Sequence, residues 1–141
     1  MFEQLQAYPN IRIRHVKIQN YIYIKDTPLD VWYRTDIIKK SKWPKIQMID
    51  ILRFLTLWKY GIYLDLDLVV IISIEHLTNF DGAEDWYKVA VDILGFDTSK
   101  LDRHIVNECI HEIRNNFQGD IWGYNAPSVV TRMLKRICLK M

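Results

Sequence analysis

The sequence has little of several features that mark particular classes of protein. It has only two cysteines, Cys109 and Cys138, which is too few for a disulfide-rich fold, and they match no zinc-site spacing. Whether the two form a disulfide stays open. The longest aliphatic run, residues 68–72, is far shorter than the roughly 20 residues that span a bilayer. The first residues also lack the charged and apolar regions of a secretory signal, and no Asn-x-Ser/Thr glycosylation site occurs.

The chain also has no large excess of charge of either sign. The chain has 19 basic and 17 acidic residues, for a net charge of +2, which argues against a nucleic-acid surface or a basic membrane-binding face. By contrast, 50% of the residues are hydrophobic and 13% are aromatic, ample for a core in a chain of 141 residues. With no internal repeat or linker in view, we expect a single domain over residues 1–141.

The hydrophobic periodicity alternates between strand and helix patterns. This alternation predicts an α/β fold with a mixed, mostly parallel sheet. Trp86 and Tyr87 are expected in the core of a strand. The predicted strands are 11–16, 21–24, 62–72 and 86–93; the predicted helices run from the Asp26-Thr27-Pro28 cap to about Lys39, then 45–60, 101–116 and 127–139, with a helical turn at 75–79. Gly61 is expected to end the second of these helices.

Two carboxylates two positions apart, Asp65 and Asp67, close the apolar segment that begins at Gly61. In a strand, alternate residues share a face, so both carboxylates would point the same way, with their Cα atoms about 6.6 Å apart. Joint ligation of a cation would therefore need a bend, and we expect the strand to kink there. Hard divalent ions such as Mn²⁺ and Mg²⁺ prefer oxygen ligands of this kind. The alternatives are a proton shared by the two carboxylates, or simple solvation of both side chains at a strand end.

Two further groups of polar residues flank this motif in the sequence. Asp50 and Arg53 lie three positions apart on a largely apolar helix, either as an ion pair or as a polar spot that faces a ligand. The segment 118–127 concentrates glycine, polar and aromatic residues, including Asp120, Trp122 and Asn125. It is either an ordinary loop or a substrate loop, in which the indole stacks on a sugar and the polar groups orient hydroxyls.

Five segments occur in a characteristic order and spacing: Asp50-Ile51-Leu52-Arg53, Leu57 to Asp67, Gly119-Asp120-Ile121-Trp122, Pro127 and Thr131-Arg132. Through these segments the chain resembles the alpha-1,4-glycosyltransferases, over about residues 8–138. The resemblance implies a GT-A fold and retaining transfer of a hexose (galactose or N-acetylhexosamine) from a UDP-sugar to a glycolipid or glycan in an alpha-1,4 linkage, at the lumenal side of the Golgi membrane.

The resemblance also implies roles for individual residues. Asp65 and Asp67 would hold Mn²⁺ or Mg²⁺ and the diphosphate. Asp50, Arg53 and Tyr63 would lie at the UDP-sugar, Asp120 would be the carboxylate near the reacting carbon, and Trp122 and Asn125 would face the acceptor.

The chain departs from the family pattern in three respects. Its helix-to-strand turn has one glycine, Gly61, where the family has two, and Ala126 replaces a glycine. We also expect a truncated domain, without the first strands, the uracil pocket and the membrane anchor. A catalytically impaired relative is therefore an alternative. A haloacid-dehalogenase-like phosphatase, with Asp65 as nucleophile, is a more remote one.

Overall fold

The computed structural model describes residues 2–15, 17–18, 27–97 and 99–139, and every structural statement below concerns these residues. Helices and strands are mixed along the chain, which confirms the predicted α/β class. The helices are α1 (Phe2–Gln6), α2 (Asp30–Tyr33), α3 (Pro44–Tyr60), α4 (Lys100–Asn116) and α5 (Pro127–Cys138); the strands are β1 (Ile62–Leu64), β2 (Phe80–Ala83) and β3 (Val89–Gly95).

The three described strands form one antiparallel sheet with the order β1-β3-β2. The mostly parallel arrangement predicted from the sequence is wrong for these strands. Tyr63 lies opposite Leu94 in the β1–β3 pair, and Asp81 lies opposite the same residue in the β2–β3 pair. β3 is therefore the central strand of the sheet and pairs with both β1 and β2.

Several predicted elements are shorter than expected. The strand predicted at 62–72 ends at Leu64, since the chain turns at Asp65, whose carbonyl accepts a hydrogen bond from the Leu68 amide at 3.3 Å. The predicted strand 86–93 begins only at Val89, and no strand forms at residues 11–15. The predicted helical turn at 75–79 is a non-helical turn. The helix predicted to reach Lys39 is confined to α2. The predicted strand 21–24 lies outside the described residues.

The core lies between the three long helices and one face of the sheet. Helix α3 packs against α4 and β1, and α5 packs against α4 and β3. Phe54, Leu94 and Ile110 are buried at the centre, with exposures of 1% or less. None of the described helices is long and apolar enough to cross a membrane. Cys109 is buried and Cys138 is exposed, and both are free thiols.

Helix α3 ends as the sequence predicts, at Gly61. This glycine adopts a left-handed conformation with φ of 80°, and its amide donates to the Leu57 carbonyl at 2.7 Å. The Gly61 carbonyl then accepts from the Phe96 amide at 2.7 Å, at the end of β3. One glycine is therefore enough to turn the chain from α3 directly into β1.

The expectation that Trp86 and Tyr87 belong to a strand core is wrong. Both lie in the connection between β2 and β3 and are exposed, at 98% and 80%. The backbone there is held by the Asp85 carboxylate, which accepts from the Tyr87 amide at 2.6 Å. This local hydrogen bond favours a turn over continuation of the strand.

Candidate functional site

Arg53 is the centre of the polar cluster that joins α3 to the end of β1. Its Nη2 donates to both carboxylate oxygens of Asp65, at 2.9 and 3.2 Å, and its Nη1 donates to Asp50 at 3.3 Å. Its guanidinium also lies over the Tyr63 ring, 5.1 Å from the centroid. The side chain is only 10% exposed, so these charged contacts form largely away from water.

The side chains of Asp65 and Asp67 differ sharply in their surroundings. Asp65 accepts from Arg53 and from the Tyr63 hydroxyl, and its amide donates to the Asp92 carbonyl at 2.8 Å. Asp67 lies in the following turn and is exposed. The kink expected between the two aspartates is therefore present. Asp65 is held in place by protein groups, while Asp67 is accessible to solvent and ligands.

A cleft of about 310 Å³ brings the two predicted groups of polar residues together. Asp50 and Arg53 from α3 lie on one wall, Asp92 from β3 on another, and Trp122 and Gly123 at the start of the α5 region on a third. A volume of this size lies at the lower end of the roughly 300–1,000 Å³ typical of small-molecule sites. Asp50 and Arg53, predicted on the donor side, thus share one cavity with Trp122, predicted on the acceptor side, although they are far apart in the chain. Tyr63, Asp65, Asp67, Asp120 and Asn125 are not among the residues that line it.

Trp122 stands at the edge of this cleft on a firmly held loop. The indole is 64% exposed and packs edge-on against Trp43, with ring centroids 5.3 Å apart. Gly123 follows with φ of 69°, a conformation that glycine adopts readily, and its carbonyl accepts from the Ser128 amide at 3.2 Å. One face of an aromatic ring is thus presented to solvent in a fixed position.

Asn125 is buried beneath this loop, at 1% exposure. Its side-chain nitrogen donates to Gln47 Oε1 at 2.7 Å and to the Gln118 carbonyl at 2.8 Å, and its side-chain oxygen accepts from the Gln118 amide at 3.0 Å. In this conformation the amide anchors the loop to α3. Asp120 is exposed on the same loop and lies outside the lining of the cleft.

Ala126, where the family pattern has glycine, is buried and has a negative φ of −131°. Its β-carbon therefore meets no left-handed strain. The departure from the family pattern is accommodated by the backbone at the start of α5.

Two acidic residues that the sequence reasoning did not single out lie in or near this part of the fold. Asp92 lines the cleft and was hidden within an apolar strand, where a lone charge was the available signal. Glu112 is 6% exposed on α4 and accepts from Arg132 at 3.0 Å and from Arg136 at 3.2 Å. The Arg132 guanidinium in turn stacks on Tyr124, 4.0 Å from the ring centroid, which ties α4 and α5 to the Trp122 loop.

The site carries excess negative charge. Burial raises the pKa of Asp50 to about 6, with Asp65 adding to the rise and Arg53 opposing it. The pKa of Asp92 is also raised, by burial and then by the neighbouring Asp65 and Asp67 carboxylates. Arg53 alone does not offset these groups.

We expect Asp50 to make folding stability depend on pH in the metal-free protein. Its folded pKa lies above the ordinary value of 3.8, so its favourable contribution is complete below that value and is lost as the pH rises through about 6. One pKa unit corresponds to about 1.4 kcal/mol. Urea unfolding should therefore show that, between pH 4 and 7, the free energy of unfolding of wild type falls by roughly 2–3 kcal/mol relative to that of Asp50→Asn. Parallel curves for the two proteins would contradict this.

The donor set suits a hard divalent cation in chemistry and charge. Asp67 is accessible, and the Asp65 and Asp92 carboxyl groups lie close to each other, a grouping of oxygen atoms that a hard cation prefers. Within the described ranges, however, no three His, Cys, Asp or Glu side chains are arranged to hold a metal. Oxygen atoms of a bound diphosphate would have to supply the remaining ligands, as is usual for Mg²⁺ sites.

Comparison with known protein families shows which family the chain belongs to. The model for the glycosyltransferase sugar-binding region containing a DXD motif matches residues 3–85, which is more than half of the chain and includes Asp65 and Asp67. The model for the alpha 1,4-glycosyltransferase conserved region matches residues 98–141, which include the Trp122 loop and α5. The chain therefore belongs to the DXD-containing glycosyltransferase family, and the resemblance seen in the sequence is confirmed.

Individual relatives are consistent with this assignment. The chain is similar to lactosylceramide 4-alpha-galactosyltransferases from Mus musculus (33% identity over 95% of this chain and 36% of the relative) and Homo sapiens (29%, 95% and 37%). It is also similar to the alpha-1,4-N-acetylglucosaminyltransferase of Homo sapiens (31%, 97% and 39%). The chain thus spans well under half the length of these relatives. Among solved structures, none matches it.

Proposed function

We propose that the chain forms part of a GT-A-type glycosyltransferase, with its donor and acceptor sites meeting in the cleft described above. The observation that carries the proposal is the convergence of Asp50 and Arg53 with Trp122 around one cavity, beside the DXD carboxylates. The reaction is transfer of galactose or an N-acetylhexosamine from a UDP-sugar to a glycolipid or glycan hydroxyl, with retention, in an alpha-1,4 linkage. The names of the relatives support this linkage.

The diphosphate of the donor belongs at the turn that carries Asp67, next to the Arg53 wall of the cleft. A divalent ion, Mn²⁺ or Mg²⁺, held there would neutralise the charge that gathers on the departing diphosphate. Arg53 keeps the Asp65 carboxylate oriented, and Asp65 in turn fixes the turn that carries Asp67. Tyr63 contributes through its hydroxyl hydrogen bond to Asp65. These residues position the clamp.

The acceptor belongs on the Trp122 side. The exposed indole offers an apolar face to the C–H groups of a sugar ring, and it packs edge-on against Trp43. Asn125 supports this loop from below, and Asp120, exposed on the loop surface outside the lining of the cleft, is the candidate carboxylate for the reacting sugar. By family resemblance we propose the lumenal side of the Golgi membrane as the site of action.

Binding of a UDP-sugar in the presence of Mn²⁺ tests this proposal. Asp67 is exposed, so Asp67→Asn should change the free energy of unfolding by less than about 0.5 kcal/mol. It should nevertheless abolish Mn²⁺-dependent binding of UDP-galactose and UDP-N-acetylglucosamine in calorimetric titrations. Asp81→Asn, an exposed aspartate on β2 outside this cleft, is the matched control and should bind as wild type. Absence of binding by wild type would refute the proposal.

A non-catalytic relative is the second candidate. The Arg53–Asp65 ion pair favours it, because it engages both oxygens of the first DXD aspartate. Such a protein would bind UDP-sugar with Mn²⁺ and release neither UDP nor free sugar on prolonged incubation. The phosphatase alternative is not retained, since the chain matches the DXD-containing glycosyltransferase family over residues 3–85.

A further inference from the structure

We propose that Asp92 contacts the hydroxyl groups of the donor sugar and so distinguishes a UDP-sugar from UDP. This inference rests on the proposed function. Asp92 lies on the central strand β3, and its carbonyl accepts from the Asp65 amide at 2.8 Å, so the backbone fixes its distance from the DXD turn. Its side chain lines the same cleft as Asp50, Arg53 and Trp122.

The charge of Asp92 determines which part of the donor it meets. A carboxylate repels the diphosphate, whose negative charge is drawn to Arg53 and to a cation at Asp67. The same carboxylate accepts hydrogen bonds from neutral hydroxyl groups, and such charge-assisted bonds are about twice as strong as neutral ones. Inside a confined cleft, Asp92 is therefore matched to the sugar and mismatched to the phosphates.

The shape of the cleft supports the same assignment. At about 310 Å³ it is small for a complete nucleotide-sugar, so it accommodates only part of the donor. Asp92 supplies hydrogen-bond acceptors from the sheet, and Trp122, on the acceptor side, stands at the edge of the same cleft. The hydroxyl groups of the donor sugar would meet Asp92 there, which leaves the indole to the acceptor.

Two other roles for Asp92 are distinguished by the binding test. If Asp92 were a ligand of the cation at the DXD turn, loss of its carboxylate would weaken UDP and UDP-sugar alike. A purely structural role would act through the side-chain hydrogen bond that joins the carboxyl groups of Asp92 and Asp65, and Asp92→Asn would then leave the relative affinities for UDP and UDP-sugar unchanged. Two carboxyl groups bond only when one of them carries a proton, and the second oxygen of Asp92 is left to accept from a hydroxyl group.

The test compares two ligands on the same variant. With Mn²⁺ present, Asp92→Asn should bind UDP within about threefold of wild type and UDP-galactose or UDP-N-acetylglucosamine roughly tenfold or more weakly. Calorimetric titration measures both constants, and Asp81→Asn serves as the control that should alter neither. Thermal unfolding of each variant, followed by circular dichroism, shows that the compared proteins are folded.

Each alternative outcome has a distinct reading. Equal weakening of UDP and UDP-sugar by Asp92→Asn would assign the residue to the diphosphate clamp and overturn the inference. Unchanged binding of both ligands would overturn it as well, while leaving the proposed function standing. Failure of wild type to bind UDP at all would refute the proposed function, and the inference with it.

Discussion

Replacing Arg53 with methionine is expected to destabilise the protein by about 3–5 kcal/mol at pH 7 and to abolish UDP-sugar binding. Methionine fills much of the same space but leaves Asp50 and Asp65 without their shared partner in a site where both are largely shielded from water. Removing one member of such a cluster leaves uncompensated charge, which costs more than the original ion pairs contribute. The turn that carries Asp67 then loses the contact that holds Asp65.

Urea unfolding of wild type and Arg53→Met at pH 7 and pH 5 measures this effect. The difference between the two should shrink at pH 5, because protonation of Asp50 removes part of the unpaired charge. Arg34→Met is the matched control: Arg34 also bonds an aspartate, Asp30, at 2.9 Å, but its side chain is 64% exposed, so the loss should be below about 1 kcal/mol. Similar losses for the two variants would contradict the central role of Arg53.

The sequence was sufficient for features that depend on local periodicity and capping. The apolar pattern of α3, the proline that starts α5 and the glycine that ends α3 each specify one element boundary within a few residues. The pairing of Asp50 with Arg53 also follows from helical spacing. These effects act between residues close together in the sequence, and contacts with distant parts of the chain do not override them.

Features set by long-range contacts were not accessible in the same way. Residues 68–72 read as a strand by composition, yet β1 ends at Leu64, because Asp65 is drawn to Arg53 and the chain turns immediately afterwards. The antiparallel register of β1 on β3 depends on which strand occupies the centre of the sheet, which periodicity does not report. Contacts across the chain thus fix the site geometry.

The same distinction applies to individual site residues. Asn125 has a residue type suited to bind a substrate, and in the fold its amide is used instead to join Gln47 and Gln118. Asp92 is an unremarked position in the sequence, and the fold carries it to the DXD turn through a backbone hydrogen bond. Residue type therefore identified the chemistry of the site, whereas pairing across the sheet decided which side chains reach the cleft.

Gly61→Ala is expected to destabilise the protein by about 2–3 kcal/mol and to weaken donor binding. Alanine pays roughly 1–2 kcal/mol for the left-handed conformation at φ of 80°. Its β-carbon would also lie 2.8 Å from the Phe96 carbonyl oxygen, so the backbone must shift where β1 joins β3. Because Asp65 follows β1 directly, that shift reaches the DXD turn.

Gly61→Asn separates these two causes. Asparagine tolerates the left-handed conformation better than alanine but carries the same β-carbon. If strain in φ dominates, urea unfolding should show Gly61→Asn recovering about 1 kcal/mol relative to Gly61→Ala; if the contact with Phe96 dominates, the two variants should be equally unstable. Stability equal to wild type in both would mean that α3 and β1 join without need of a glycine. The single glycine would then be incidental to the placement of Asp65 and Asp67.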